Sequence, residues 1–194
     1  EAVGKDRIAD AAYAAANYPL PVVTVDLGTA TTFNVVDGDR VFRGGVICPG
    51  LSTGLRALGD RCAQLPQIHL ARPRHAIGTT TAECMLSGSV MGTAVLLDGM
   101  VQRIEEELGS PVTLVLTGGL AKYVAPLCRH PLTYDPELML KGLALLYELN
   151  SRPAHRGDSR RFRPEQEEKR REPFRREERR RGRRDEAVKR RNAG

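Results

Sequence analysis

Val22-Val23-Thr24-Val25-Asp26-Leu27-Gly28-Thr29-Ala30-Thr31-Thr32-Phe33-Asn34-Val35-Val36 is the stretch whose reading decides the fold. Two β-branched runs, Val22–Val25 and Thr31–Val36, flank a tight Gly28-Thr29 corner, the pattern of a hairpin. Asp26 ends the first strand, and the corner exposes backbone N–H groups beside the Thr29 hydroxyl. Gly28 lacks the Cβ that would keep a ligand away from the backbone. A carboxylate, a glycine and a hydroxyl at such a turn suit a phosphate with an accompanying cation. The plainer alternative is a hairpin whose Asp and Thr bond only to their own turn.

Working outward, Ile8–Ala16 is Ala-rich and predicts a helix, ended by Pro19 and Pro21. After the hairpin, Asp37-Gly38-Asp39 signals a turn, and Arg40–Arg43 returns as a third strand of an antiparallel meander. Gly44–Leu51 then reads as a loop, with Ser52 capping a helix to about Ala63. Residues 66–77 read as a connector. Thr79-Thr80-Thr81 opens the next helix, with Glu83 well placed in its first turn. Small residues, among them Ser87, Gly88 and Gly92, line it and predict close packing; the pattern continues from Leu96 to about Leu108, with Gly109 as the stop. Val112–Leu116 is a continuous apolar run typical of a buried parallel strand. It delivers Thr117-Gly118-Gly119 to a helix starting at Leu120. A last helix, from Pro136 to about Leu149, is Leu-rich enough to be largely buried.

Charge divides the chain. Of 30 Lys+Arg and 24 Asp+Glu, residues 151–194 hold 18 and 9 and so carry +9. Residues 1–150, with the remaining 12 and 15, carry −3, so the basic balance is no argument for nucleic-acid binding by the body. The tail has almost no aliphatic side chains, cannot offset its ordering entropy, and reads as disordered. Cys48, Cys62, Cys84 and Cys128 lack zinc-ligand spacing and predict free, mostly buried thiols in a reducing compartment. No apolar run approaches the roughly 20 residues of a membrane helix. The chain reads as cytoplasmic, with no membrane association, and, lacking an initial Met, as cut at its front.

Meander, helix, buried strand with a glycine pair and final helix make an α/β architecture. It is one lobe of an actin-like (ribonuclease H-like) ATPase, a mixed sheet with flanking helices. Here the residues resemble a family, type III pantothenate kinase, the first enzyme of coenzyme A synthesis. The resemblance rests on ordered blocks covering residues 3–150: Gly4-Lys5-Asp6-Arg7, Asp26–Thr32, Gly44–Leu51, Gly78–Thr81 with Ser87-Gly88, Thr117-Gly118-Gly119, and Asp135 with Leu143–Tyr147.

The resemblance implies ATP-dependent phosphorylation of pantothenate to 4′-phosphopantothenate. It makes Asp6 the general base on the primary hydroxyl, with Gly4, Lys5 and Arg7 in the same pocket and Thr81 hydrogen-bonding pantothenate. The plainer alternative for Thr81 is a capping hydroxyl. It implies that Asp26 holds a monovalent cation (K+ or NH4+), that Gly28 and Thr29 contact the ATP phosphates, and that Gly118-Gly119 approach the adenosine. Magnesium would come with the nucleotide, with no ligand assigned to it. A homodimer with the pantothenate pocket near its interface is also implied, the helix through Gly88 and Gly92 being the place to look for contact.

The family's N-terminal lobe, with its first phosphate loop, is missing from this sequence. Residues 1–150 therefore read as the C-terminal lobe, with little or no turnover expected, and 151–194 as an Arg/Glu-rich tail without counterpart. A non-catalytic alternative is a regulatory relative, a transcriptional accessory factor whose basic tail binds nucleic acid.

Overall fold

A computed structural model describes residues 3–151. The chain divides into Glu1–Arg152 and Pro153–Gly194. The expected disordered tail and its nucleic-acid role lie outside the described residues.

The hairpin forms as read. Strand β1 (Val22–Leu27) pairs antiparallel with β2 (Ala30–Val36), Val25 opposite Phe33 and Asp26 opposite Thr32. Strand β3 (Phe42–Pro49) continues the meander. On the other side of β1 the apolar run becomes β4 (Thr113–Thr117), parallel, with Asp26 opposite Thr117. A short β5 (Leu132–Tyr134) follows, also parallel. The order β3-β2-β1-β4-β5, antiparallel then parallel, is the topology of the ribonuclease H-like lobe. Buried Val and Leu on both faces of β1 and β4 explain their central place.

Two layers of helix cover the sheet. Helix α1 (Lys5–Asn17) packs with α6 (Leu138–Ser151) over one face, where Ala11, Ala14, Val22, Val36, Val115 and Leu138 form an apolar cluster. The larger core lies on the other face, under α2 (Leu51–Arg61) and a long helix running from Thr81 to Leu108. That helix is α3 (Thr81–Leu86), a π turn at Ser87–Met91 and α4 (Gly92–Leu108). Gly109 ends it in the left-handed conformation, as expected. The short α5 (Ala121–Val124) follows β4.

Several expectations are corrected. Gly44–Pro49 is strand, and the strand begins at Phe42 rather than Arg40. The glycine pair suggested a loop, yet Gly45 lies opposite Asn34, where any Cβ would overlap the Phe33 carbonyl. Glycine permits the pairing here instead of breaking it. The N-cap of α2 is Gly50, without a side-chain bond, not Ser52. The last helix is not largely buried: Leu140 is 63% exposed and Tyr147 74%, with Leu143 and Leu149 also exposed. Cys62 and Cys84 are exposed and Cys48 and Cys128 half-buried, so the four thiols are free but not mostly buried. Thr81–Leu108, 28 residues, is long and apolar enough by length and composition to cross a membrane, contrary to the sequence reading. Val90, Ala94, Leu97 and Val101 of that helix are buried in the core, as in the core helix of a globular domain.

Candidate active site

The carboxyl end of β1 is where the functional side chains gather. The corner closes through Gly28 N–H donating to the Ala30 carbonyl at 3.1 Å. The Thr29 carbonyl is held by Gly50 N–H at 3.2 Å and by the Thr53 hydroxyl at 2.8 Å, which ties the corner to the start of α2. Leu120 N–H donates to the Leu27 carbonyl at 3.3 Å and brings the glycine pair after β4 alongside. Thr29 itself stays exposed.

These elements bound a cleft of about 500 Å³ lined by Gly28, Thr29, Thr53, Arg56, Arg61 and Leu120, among others. Two guanidinium groups of α2 share this cleft with the glycine corner and offer donors to phosphate oxygens, with the Asp60 carboxylate also in the lining. Neither arginine was singled out from the sequence. Their signal was available: Arg56 and Arg61 lie on the helix that starts directly after the Gly-Gly-x-x-x-Pro-Gly block.

Asp26, half-buried near the end of β1, lies beside Gly28 and Gly118. Gly118, at φ +90°, lies so close that a Cβ there would clash with Asp26 Oδ1. Burial, and secondarily the negative charge of Asp6, raises the Asp26 pKa above the usual carboxylate range. Asp6 is exposed in the first turn of α1, so the structure brings Asp6, Asp26 and the Gly28-Thr29 corner to one end of the sheet.

The rest of the expected substrate pocket is less uniform. Gly4 and Lys5 are exposed beside Asp6. Arg7 is already engaged: its Nε donates to Asn34 Oδ1 at 2.7 Å, its Nη2 donates to the Phe33 carbonyl at 3.3 Å, and its guanidinium lies over the Phe42 ring. It anchors α1 to the meander. Thr81 is the first residue of α3. The capping role falls to its neighbour, since Glu83 N–H donates to Thr80 Oγ1 and Thr80 N–H donates to Glu83, a reciprocal capping box. The Thr81 hydroxyl is therefore not the cap.

Asp10 escaped the sequence reading. It lies one turn after Asp6 on α1, among the alanines of the buried face, only 2% exposed, and its Oδ1 has no hydrogen-bond partner. Burial first, then the charges of Asp26 and Asp6, pushes its pKa up to about 7. A lone acid within Ile8-Ala9-Asp10-Ala11-Ala12 was the available sign.

Known proteins agree on the lineage. A family model described as type III pantothenate kinase matches residues 1–103. A type III pantothenate kinase of Hyphomonas neptunium is 41% identical over 150 residues, covering 77% of this chain and 59% of the relative. One of Thermomicrobium roseum is 43% identical over 146 residues, covering 75% and 56%. The chain thus spans about three-fifths of the length of the curated relatives it matches. A solved structure from Campylobacter jejuni, named for the Baf family of transcriptional activators, shares the fold at a TM-score of 0.53 and 22% identity, covering 72% of this chain and 64% of that one. With its ordered sequence blocks, its sheet topology and these matches, the chain belongs to the type III pantothenate kinase family.

Proposed function

We propose that this chain serves the ATP-dependent phosphorylation of pantothenate to 4′-phosphopantothenate, the first step of coenzyme A synthesis. The observation that carries the reading is the cleft at the Gly28-Thr29 corner, lined also by Arg56 and Arg61, with the Asp26 carboxylate beside Gly28. Phosphoryl transfer asks little covalent chemistry of the protein; it needs positioning and charge stabilisation. The Thr29 hydroxyl and the two arginines hold the phosphates, where Gly28 leaves the backbone open to close approach. Asp6 accepts the proton of the pantothenate hydroxyl and orients that oxygen, with Gly4 and Lys5 beside it.

Arg7 acts here by fixing the start of α1, and hence Asp6, through Asn34. Thr81 contributes a hydroxyl to pantothenate. Asp26 holds K+ or NH4+, a use that suits a half-buried carboxylate without a cationic side-chain partner. Gly118-Gly119 lie towards the adenosine. The setting is the cytoplasm. Assembly as a homodimer is supported by a shallow groove of about 310 Å³ lined by small residues, including Gly54, Gly88 and Gly92, next to the exposed Val95.

The test is calorimetric titration of the chain with ATP and with pantothenate, alone and with its Asp6→Asn and Arg56→Ala variants. Arg56→Ala is expected to weaken ATP about tenfold, and Asp6→Asn to weaken pantothenate while sparing ATP. Failure of the folded chain to bind either ligand overturns the reading.

A further inference from the structure

The cleft at the Gly28-Thr29 corner contains one group that phosphate alone does not explain. Its α2 wall is Ser52, Thr53, Arg56, Ala57, Asp60 and Arg61, pairs recurring every four residues, so one helix face lines it along its length. From Ser52 to Asp60 that face runs about 12 Å at the rise of an α-helix. Hydroxyls stand at the end nearest the corner, where Thr53 donates to the Thr29 carbonyl, and the Asp60 carboxylate stands towards the other end. A cleft meant for phosphate oxygens only would be better without that acid, whose charge repels them.

Among the described residues Asp60 makes no ion pair, although Arg56 stands one turn earlier on the same face. Its Oδ1 instead accepts from Gln67 Nε2 at 2.5 Å. Gln67 lies across Gly59, where a Cβ would come within 2.9 Å of the amide, so the glycine makes room for that bond. Oδ2 has no hydrogen bond among the described residues. An ionised carboxylate only accepts, so this oxygen is open to a hydroxyl donor from a ligand. Sugar hydroxyls that follow a phosphate chain are neutral donors of that kind, and carboxylates take them at dinucleotide sites in the same way.

We propose that Asp60, oriented by Gln67, is the specificity-determining residue of this cleft and accepts hydrogen bonds from the ribose hydroxyls of the nucleotide. Thr29, Arg56 and Arg61 take the phosphates, and Asp60 takes the sugar. The cleft thereby favours a ribonucleoside triphosphate over inorganic polyphosphate and over a nucleotide lacking those hydroxyls. Gln67 is a positioning residue that acts through Asp60. By holding Oδ1 it keeps the carboxylate from closing on Arg56, which would withdraw both side chains from the ligand. This sugar contact deepens the kinase reading proposed above and rests on it.

The experiment is calorimetric titration of the 194-residue chain with ATP, 2′,3′-dideoxy-ATP and inorganic tripolyphosphate, each with equimolar Mg2+. Wild type is expected to bind ATP about tenfold more tightly than the dideoxy analogue, or better. Asp60→Ala should lose that preference and bind tripolyphosphate no more weakly than wild type. Gln67→Leu should shrink the preference while leaving tripolyphosphate affinity unchanged, which a merely structural role would not do. Both positions are exposed, and thermal unfolding verifies that each variant is folded. A preference that survives in folded Asp60→Ala overturns the proposal and leaves the kinase reading standing, as does a wild type that binds both nucleotides equally. A wild type that binds tripolyphosphate but not ATP, or neither, overturns both.

Discussion

Gly118 lies against Asp26 with no room for a side chain between them. At φ +90° a Cβ on Gly118 would clash with Asp26 Oδ1 and sit 2.7 Å from both the nitrogen and the carbonyl oxygen of Leu27. Neither partner can yield cheaply, because Leu27 is the last residue of a central strand. Gly118→Ala is expected to cost about 1–3 kcal/mol of stability. Urea denaturation measures it, and an unchanged midpoint would show that the turn after β4 is freer than described.

Arg7 and Asn34 make a second testable pair. Asn34 accepts from Arg7 and donates to Thr24 Oγ1 at 3.1 Å, so it joins α1 to both strands of the hairpin. Asn34→Ala should lower stability by about 1–3 kcal/mol, since it strands a part-buried guanidinium. Arg7→Lys should recover only part of the interaction, as an ammonium lacks the planar fork. A denaturant series on the two variants checks the order. Equal stability of Asn34→Ala and wild type would remove Arg7 from its anchoring role.

Asp10 sets a pH dependence of unusual sign. Its carboxyl is raised from 3.8 to about 7 in the folded state, so the folded chain binds this proton more tightly than the unfolded chain does. Its contribution is complete below pH 4 and is lost as pH rises through 7, at most about 4 kcal/mol for a shift of three pKa units. In metal-free buffer the chain should therefore be less stable at pH 8 than at pH 5. Asp10→Asn should flatten that slope and raise the melting temperature at pH 8. A wild-type curve that is flat between pH 5 and 8 would mean that Asp10 has a partner in solution.

Asp135 works in the opposite direction. Burial alone would raise its pKa, but the bonds from Lys141 Nζ (2.7 and 2.9 Å), the Tyr18 hydroxyl (2.9 Å) and Glu137 N–H outweigh that and hold it below the usual range. The stability it contributes is present above its unfolded value and lost as pH falls through the lowered folded pKa. Asp135 thus ties the end of α1 to α6. Asp135→Asn should lower the melting temperature at pH 7 and shrink the difference between wild type and variant below pH 3. A constant difference at all pH values would count against the ionic part of the link.

Elements with a local signal were legible in the sequence. The β-branched runs around Gly28-Thr29, the apolar Val112–Leu116 run, the Glu83 placement and the Gly109 stop each encode their structure within a few residues. What was not legible depends on partners distant in sequence. Gly44-Gly45 looked like a breaker because Phe33, whose carbonyl requires the glycine, is on another strand. The three-residue β5 is a strand only by pairing with β4. Leucines of α6 predicted burial, yet composition does not say which face meets α1. At the site, Asp26, Gly28 and Thr29 stood out as a corner motif and Asp6 only through the family resemblance, whereas the buried setting of Asp10 and the shared cleft of Arg56 and Arg61 follow from how α1 and α2 pack.

The most direct test of the account is ATP affinity by calorimetry in wild type, Thr29→Val with Arg56→Ala, and Asp6→Asn. The account predicts at least a tenfold loss for the corner variant and none for Asp6→Asn, with pantothenate binding weakened in Asp6→Asn alone. Undiminished ATP binding by a corner variant that remains folded would place the phosphates elsewhere and contradict it.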